Sequence, residues 1–418
     1  MTISVFTPTH NTRFLRETWE SLQAQFHTGW EWVLVPNGEA VIPEEIARDP
    51  HVRIYPFPGT PKGVGELKAF ACQHCLGAVL LELDHDDLLT PDCLGAVAAA
   101  FEDPAVQMVY SNTVEFKWPG GEPNTYSEWW GWKHRPYHWR GRDMVENIAW
   151  PPSPQALRRI YWSPNHLRAW RASAYHALGG HDPEHALVDD HDLNIRTYLM
   201  YGATGMRHLD KALYLYRVYP ENTCRSNARE IRRLDQVCYE KYIVRMAQRW
   251  TLDARLLQLD LGGAIDPEPG FLSVDRRPGA DVCCDLEGTW PFPDGSVGIL
   301  RAKHIFEHLH DPIHTMNEAY RVLAPGGWLF LEVPSTDGRG AWQDPTHVSF
   351  WNENSLWYYT RQSHARYIPD FKGRFQVSEL RTYFPSTWWE ENRIPVVRAH
   401  LIALKPGYEE RRAGEALI

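Results

Sequence analysis

The feature that most constrains this chain is an alternation of short apolar segments with helical segments, which occurs twice. In the first series, predicted strands and helices alternate over 2–6, 13–25, 31–35, 52–57, 64–76 and 79–83. Such alternation is typical of a parallel sheet covered by helices. In sheets of this kind the ligand site lies beyond the carboxyl ends of the strands. The sequence therefore predicts an α/β domain with its site at one sheet edge.

A second and smaller α/β series begins near residue 256. Its predicted elements are strands at 256–260, 271–274, 297–302 and 328–333, a helix at 312–323 and a turn at 325–327. At 418 residues the chain is too long for one ordinary core, so two domains are expected. We predict domains at 1–225 and 255–418, joined by a charged helical linker at 226–254.

Composition limits the class of protein. Hydrophobic residues make up 43% of the chain and charged residues 23%, as in soluble globular proteins. No apolar run reaches the length of a membrane span and no secretory signal opens the chain, so a cytoplasmic location is expected. A formal charge of −10 weighs against broad binding to nucleic acid, although a local basic patch stays open.

The sharpest motif is Leu-Asp-His-Asp-Asp at 83–87, directly after an apolar predicted strand. The carboxylates of Asp84 and Asp86 can face one hard cation such as Mg²⁺ or Mn²⁺, which then neutralises charge on a diphosphate leaving group. The alternative interpretation is a helix N-cap at Asp87 with surplus acid nearby.

The context of this motif resembles inverting family 2 glycosyltransferases of the GT-A type, over about 1–225. The resemblance lies in Thr-Pro-Thr-His-Asn after the first strand, Pro-Asn-Gly after the second and 83–91 after a later one. It implies a nucleoside diphosphate sugar donor, with metal and diphosphate at Asp84 and Asp86. The residues expected beside the donor nucleotide are Thr7, Pro8, Asn11 and Asn37. Lys68 either faces the phosphates or is solvated.

The same resemblance implies a general base in the acidic segment 188–193. It assigns Asp190 as the base that activates the acceptor hydroxyl, with Asp189 as the second choice. We expect the flanking acids to raise the pKa of this carboxylate; the alternative is a helix N-terminus that favours acids. Relatives often place a metal-binding histidine after Tyr-Arg-Val, where this chain has Tyr219, so weaker metal binding is expected.

The segment 117–164 is rich in Trp, Pro, Gly, Arg and His and is too long for a plain connection. We predict a binding insert or lid. One interpretation is an acceptor site at Trp129, Trp130, Trp132 and Arg135, since aromatic faces stack on sugars or bases. The alternative is that these rings fill a core. Candidate acceptors are a glycan, a lipid-linked sugar or a modified base in DNA.

The second domain resembles class I S-adenosylmethionine methyltransferases over about 255–360. The resemblance lies in Leu-Asp-Leu-Gly-Gly at 259–263 and in later motifs up to Arg-Val-Leu-Ala-Pro-Gly-Gly at 321–327. It implies that Gly262, Asp275 and Asp285 lie beside S-adenosylmethionine. Only eight residues separate Gly262 from Phe271, which leaves no room for a crossover helix, so an active methyltransferase competes with a degenerate domain. A metal site at His304, His308 and His347 is a further hypothesis, if 304–308 is helical.

The favoured function is transfer of a hexose from a nucleoside diphosphate sugar, with a second methyltransferase activity open. Two alternatives remain: a methyltransferase whose first half only binds a glycan, and a non-catalytic scaffold for carbohydrate or DNA. The sequence leaves open the sugar, the donor base, the acceptor and the oligomeric state.

Overall fold

The computed structural model describes residues 1–118, 120, 125–160, 164–222 and 226–408. The chain forms two compact units, with the boundary along the chain between Met246 and Ala247. Each unit is an α/β structure with its own sheet, as the sequence predicts. No helix in the described ranges combines the length and apolar character that a bilayer crossing requires.

The N-terminal unit alternates strands and helices at first and then becomes largely β. Its strands are β1 Ile3–Thr9, β2 Trp30–Pro36, β3 Val52–Ile54, β4 Val79–Glu82, β5 Leu88–Leu89, β6 Met108–Lys117, β7 His134–Trp139, β8 Arg142–Asn147, β9 Arg168–Arg171 and β10 Met206–Val218. Its helices are α1 Leu15–Gln23, α2 Glu44–Ala47, α3 Val64–Gln73, α4 Cys93–Ala100, α5 Pro154–Leu157, α6 Ala172–Ala177, α7 Asp189–Tyr201 and the first part of α8 Ala228–Asp253.

The sheet order brings distant segments to one edge. The order is β3-β2-β1-β4-β9-β6-β10-β5, with the β7-β8 hairpin joined to β6. β1 runs parallel to β2 and β4, whereas β9 is antiparallel to both β4 and β6, and β10 is parallel to β6. The carboxyl ends of β1, β2, β4 and β10 therefore share an edge with the amino end of β9.

Burial explains why the early strands are so apolar. Strands β1, β2 and β4 are covered on both faces, so their residues are buried almost without interruption. The core residues of these strands include Ile3, Val5, Trp32, Leu34, Val79 and Leu81. The predicted strands and helices of this part are present, with ends that differ by a few residues.

The segment 117–164, predicted as a binding insert or lid, contains regular structure where the sequence predicted no strands. Strands β7 and β8 form a hairpin that joins the sheet through β8. Its two-residue turn is Arg140-Gly141, and both residues have positive φ, 45° and 77°. Two positive φ values match the type I′ turn, which suits the right-handed twist of paired strands. Glycine at the second turn position was the available signal.

Helix α8 covers most of the predicted linker, and its first part packs within the N-terminal unit. The hydroxyl of Tyr242 donates to Asp192 at 2.6 Å, and the Ile160 N–H donates to Asp235 at 3.0 Å. The unit boundary at 246–247 falls inside this helix. The domain limits predicted from the sequence remain a prediction.

The C-terminal unit contains a mostly parallel sheet with two antiparallel strands at one side. Its strands are β11 Leu257–Leu261, β12 Leu272–Asp275, β13 Val282–Cys283, β14 Val297–Lys303, β15 Leu323–Pro334, β16 Phe375–Tyr383 and β17 Val396–Ala403. Its helices after α8 are α9 Pro312–Val322, α10 Gly340–Gln343, α11 Glu353–Thr360, α12 Gln362–Ala365 and α13 Thr387–Glu391, with a 3-10 turn at Phe306–His308. The order is β13-β12-β11-β14-β15-β17-β16.

The short connection between β11 and β12 confirms that the crossover helix is missing. The two strands pair in parallel, yet only residues 262–271 join them and no helix lies there. A connection this short is unusual for parallel strands. Gly262 makes it feasible by adopting φ 80° and donating its N–H to the Val274 carbonyl at 2.7 Å.

Candidate active site

A cavity of about 1040 Å³ opens at the shared strand edge of the N-terminal unit. It lies where β1, β2, β4 and β10 end and where β9 and α7 begin. Most of the site residues predicted for this unit line it: Pro8, Asn11, Asn37, Lys68, Asp84, Asp86, Trp130, Asp189 and Asp190. Segments far apart in sequence thus converge on one cavity because the sheet order places their ends side by side.

Asp84 and Asp86 both line this cavity. Partial burial raises the pKa of Asp84 to about 7, with Glu82 and Asp86 adding to the rise and Lys68 opposing it. Asp86 accepts a hydrogen bond from the Tyr219 hydroxyl at 2.6 Å. Negative charge is therefore concentrated at one wall, which is the environment that a divalent cation stabilises.

Asp87, the third acid of the motif, has a structural role. It is fully buried, and it accepts hydrogen bonds from the Tyr214 hydroxyl at 2.8 Å and the Arg217 N–H at 2.6 Å. The same Tyr214 hydroxyl accepts from the Asp84 N–H at 3.2 Å. Asp87 thereby ties the acidic loop to β10 and does not cap a helix as the alternative interpretation held.

Lys68 is buried and paired, which rules out the solvated alternative. Its Nζ lies 2.7 Å from Glu82 Oε1 and 3.1 Å from Asp189 Oδ2. Burial alone would lower the pKa of Lys68, but Asp189 and Glu82 outweigh it and raise the pKa above its usual value. Gly65 lets the start of α3 pack closely against the segment before α7, because a Cβ there would lie 2.4 Å from the Asp182 carbonyl oxygen.

Asp190 lies in the first turn of α7, where its Oδ2 accepts from Arg168 at 2.7 Å. The expected rise in its pKa is wrong. Burial would raise the pKa of Asp190, but the charges of Arg168 and Lys68 outweigh burial and lower it. The neighbouring acid Asp189 forms an ion pair with Lys68, so the carboxylates repel each other less than we expected from the sequence.

The residues expected beside the nucleotide separate into two groups. Pro8, Asn11 and Asn37 line the cavity, and the buried Oδ1 of Asn37 has no hydrogen-bond partner among the described residues. Thr7 is buried instead, and its hydroxyl donates to the Leu83 carbonyl at 2.6 Å and accepts from the Trp32 ring at 2.9 Å. Its side chain connects β1 with β2 and with the acidic loop. Thr7 therefore does not line the cavity.

The aromatic insert contributes less to the cavity than predicted. Trp130 lines it, but Trp132 is buried against Trp150 and Trp129 is mostly exposed. Arg135 pairs with Glu146 at 2.8 Å and with Asp210 at 2.9 Å. The interpretation of Trp132 as a core ring is the one the structure supports, because its face is already covered by other rings.

Three further residues that sequence reasoning missed belong to this site. Glu82 is fully buried, and Arg168 pairs with it at 2.8 Å. His166 Nε2 lies 3.6 Å from Asp84 Oδ2, and burial, aided by Arg168, lowers the pKa of His166 to about 3. Its imidazole is therefore neutral at pH 7. For Glu82, its charge within the otherwise apolar run 79–83 was an available signal.

In the C-terminal unit, the residues matched to an S-adenosylmethionine site lie at the ends of neighbouring strands. Gly262 follows β11, Asp275 ends β12, and Asp285 is exposed after β13. Asp275 Oδ1 accepts the Arg277 N–H at 3.0 Å. The preceding acid Asp260 is bound by Arg301 at 2.7 Å. These placements follow the resemblance, without the helix N-terminus that would normally face the ligand.

Comparison with known families identifies both units. The model for glycosyl transferase family 2 matches residues 4–160, and the model for a methyltransferase domain matches residues 258–331. The N-terminal unit therefore carries a family 2 glycosyltransferase domain, and the C-terminal unit carries a methyltransferase-type domain. Both resemblances inferred from the sequence are confirmed.

Two curated proteins resemble the chain. "Uncharacterized protein y4gI" from Sinorhizobium fredii is 25% identical over 54% of this chain and 23% of its own length. "Uncharacterized 37.1 kDa protein in transposon TN4556" from Streptomyces fradiae is 34% identical over 15% of this chain and 19% of its own length. The chain thus spans about a fifth of the length of these relatives.

Solved structures resemble the chain more loosely. S. aureus TarS is 19% identical with a TM-score of 0.43, covering 60% of this chain and 42% of TarS. TarS 1-349 in complex with UDP-GlcNAc is 18% identical with a TM-score of 0.45, covering 60% and 71%. Mannosyltransferase PcManGT from Pyrobaculum calidifontis, in complex with GDP-Man and Mn²⁺, is 15% identical with a TM-score of 0.39, covering 58% and 64%. At this level the likeness carries no conclusion about chemistry.

Proposed function

We propose that the N-terminal unit transfers a sugar from a nucleoside diphosphate donor to an acceptor hydroxyl, with inversion and with help from Mg²⁺ or Mn²⁺. The observation that carries this proposal is that Asp84, Asp86 and Asp190 line one cavity, together with Asn11 and Asn37. The family 2 match at 4–160 supports the class of donor. A hexose is the expected sugar, and a glycan, a lipid-linked sugar or a modified DNA base is the expected acceptor.

The residues present fit a hard divalent cation. Asp84 and Asp86 supply carboxylate oxygens, the ligands that Mg²⁺ and Mn²⁺ prefer. Burial raises the pKa of the Tyr219 phenol, helped by its bond to Asp86, so the hydroxyl stays protonated and donates to the carboxylate. Tyr219 therefore orients Asp86 and is a poor metal ligand. When bound, the cation would neutralise charge on the departing diphosphate.

The paired charges beneath the cavity keep the acids in position. Glu82 is contacted by Lys68 at 2.7 Å and by Arg168 at 2.8 Å. Burial would raise the pKa of Glu82, but Arg168 and Lys68 outweigh it and hold the pKa well below the usual range. Because Lys68 also reaches Asp189 and Arg168 also reaches Asp190, two cations orient the start of α7.

Asp190 is suited to accept the proton of the acceptor hydroxyl. Its lowered pKa keeps it ionised at neutral pH, as a base must be before it reacts. Oδ2 is held by Arg168 and Oδ1 accepts the His191 N–H at 2.7 Å, and each oxygen retains a second lone pair. The ion pair fixes the direction of the carboxylate, at some cost in basicity.

Asp84→Asn and Asp190→Asn test this proposal. Nucleoside diphosphate release is measured with a panel of nucleoside diphosphate sugars and Mn²⁺, and we expect each substitution to lower the turnover at least 100-fold. Asp143→Asn is the control, because its side chain is 98% exposed in the same unit. Full activity in Asp84→Asn or Asp190→Asn, with the wild-type fold shown by circular dichroism, would refute the assignment.

A second candidate activity, methyl transfer from S-adenosylmethionine, concerns the C-terminal unit. It is favoured by the methyltransferase match at 258–331 and by Gly262, whose φ of 80° places a bare backbone after β11. Calorimetric titration with S-adenosylmethionine measures this directly. A binding heat that is present in the wild type and lost in Asp275→Ala would support binding of the cofactor. The absence of any binding heat in the wild type would exclude this activity.

A further inference from the structure

The C-terminal unit contains a cluster of ligand-type side chains that neither proposed activity uses. One ligand atom from each of Glu307, His308 and His347 lies within 4.8 Å of the other two. Glu307 and His308 belong to the 3-10 turn after β14, and His347 lies in the segment between α10 and α11. The rings of His308 and His347 are 5.0 Å apart, edge to face.

Glu307 is the most informative member of this cluster. The residue is 2% exposed, and neither carboxylate oxygen has a hydrogen-bond partner among the described residues. His304 Nδ1 lies 3.4 Å from Oε1. A buried carboxylate without hydrogen bonds is costly, and a bound cation is one of the few groups that removes this cost.

Both histidines have a backbone carbonyl oxygen beside Nδ1. His308 Nδ1 lies 3.1 Å from the Thr346 carbonyl oxygen, and His347 Nδ1 lies 2.9 Å from the Ala341 carbonyl oxygen. A carbonyl only accepts, so each Nδ1 carries the proton and each Nε2 keeps a free lone pair. Ligating histidines commonly donate their other ring N–H in this manner, which fixes tautomer and ring orientation.

The segment that carries His347 is already attached to the turn that carries the other two. The N–H groups of Val348 and Ser349 donate to the Glu307 carbonyl at 2.9 and 3.0 Å. The Ser349 hydroxyl donates to the Phe306 carbonyl at 2.8 Å. Zn²⁺ bonds of about 2.0–2.1 Å need ligand atoms about 3.3 Å apart, so binding requires only a small inward movement.

We propose that Glu307, His308 and His347 bind one divalent transition-metal ion, with Zn²⁺ chemistry as the best match. Two imidazoles and one carboxylate form a ligand set that Zn²⁺ uses with a fourth position left for water or substrate. This site replaces the trio predicted from the sequence. The segment 304–308 is not a continuous helix, since His304 has φ 52°. The ring of His304 stacks on Trp389.

Titration of the full, tag-free chain with Co²⁺ and Zn²⁺, after removal of metal by a chelator, tests this site. Visible absorption of bound Co²⁺ and calorimetry with Zn²⁺ report the stoichiometry. We expect one ion per chain at this site, lost in His308→Ala and His347→Ala and weakened at least tenfold in Glu307→Gln. Zn²⁺ should also raise the melting temperature only when the three residues are intact.

Two controls separate this site from other binding. His310→Ala removes an exposed histidine two residues away that contacts Glu287, so its Co²⁺ spectrum should match the wild type. The double substitution Asp84→Asn and Asp86→Asn removes the proposed cation site of the other unit and should leave the spectrum unchanged. Unchanged Co²⁺ binding in Glu307→Gln, which keeps the shape of the side chain, would overturn the proposal, as would the absence of binding to the wild type.

Discussion

At the scale of the residue, the site depends on how buried charges are paired. Lys68 illustrates this, because the sequence left open whether it is solvated, while the structure shows it between Glu82 and Asp189. The repulsion expected among consecutive acids is removed by cations from other elements. A pKa direction therefore cannot be read from neighbours along the chain alone.

Lys68→Met should destabilise the protein by about 3–5 kcal/mol at pH 7, because it leaves Glu82 and Asp189 buried with one fewer cation. Urea unfolding followed by circular dichroism measures the change. Lys62→Met is the control, since Lys62 is exposed and pairs with Glu184 at the surface. A loss no larger than that of the control would show that the Lys68 pairs contribute little.

At the scale of the element, the first turn of α7 depends on acids that are paired with distant groups. Asp192 accepts hydrogen bonds from the Arg196 guanidinium at 2.6 Å and from the Tyr242 hydroxyl of α8 at 2.6 Å. Burial would raise the pKa of Asp192, but His185, Tyr242 and Arg196 outweigh it and lower the pKa far below the usual range. The turn that holds Asp189 and Asp190 is thus anchored at its end by α8.

Asp192→Asn should cost about 2–3 kcal/mol at neutral pH, since it removes the charged acceptor of the Arg196 ion pair and of the Tyr242 hydrogen bond. The pKa of Asp192 is lowered by folding, so its contribution is present above the unfolded value of about 3.9 and is lost as pH falls below it. The stability difference between wild type and variant should therefore shrink below about pH 4 in urea titrations. A difference that stays constant from pH 7 to pH 3 would contradict this pairing.

At the scale of the whole molecule, two α/β units carry two different domains, a family 2 glycosyltransferase domain and a methyltransferase-type domain. The second lacks the crossover helix after its first strand, and its candidate metal ligands belong to a turn after β14. The boundary between the two units falls inside α8. The chain therefore joins a proposed sugar-transfer site to a unit whose proposed ligands are a metal ion and S-adenosylmethionine.

The sequence by itself determined the order of the early strands and helices of each unit, up to residue 83 in the first and between 256 and 333 in the second, because apolar runs and helical periodicity are local properties. It also predicted that Asp84, Asp86 and Asp190 would lie at one sheet edge, and all three line the cavity there, since motifs directly after strands have a foreseeable place at a sheet edge. Only the tertiary structure decided which acids are paired, that Thr7 and Trp132 are structural, and that Glu307 takes the place of His304 in the histidine cluster. Those outcomes depend on contacts between residues far apart in the chain, such as Arg168 with Glu82, which local sequence does not encode.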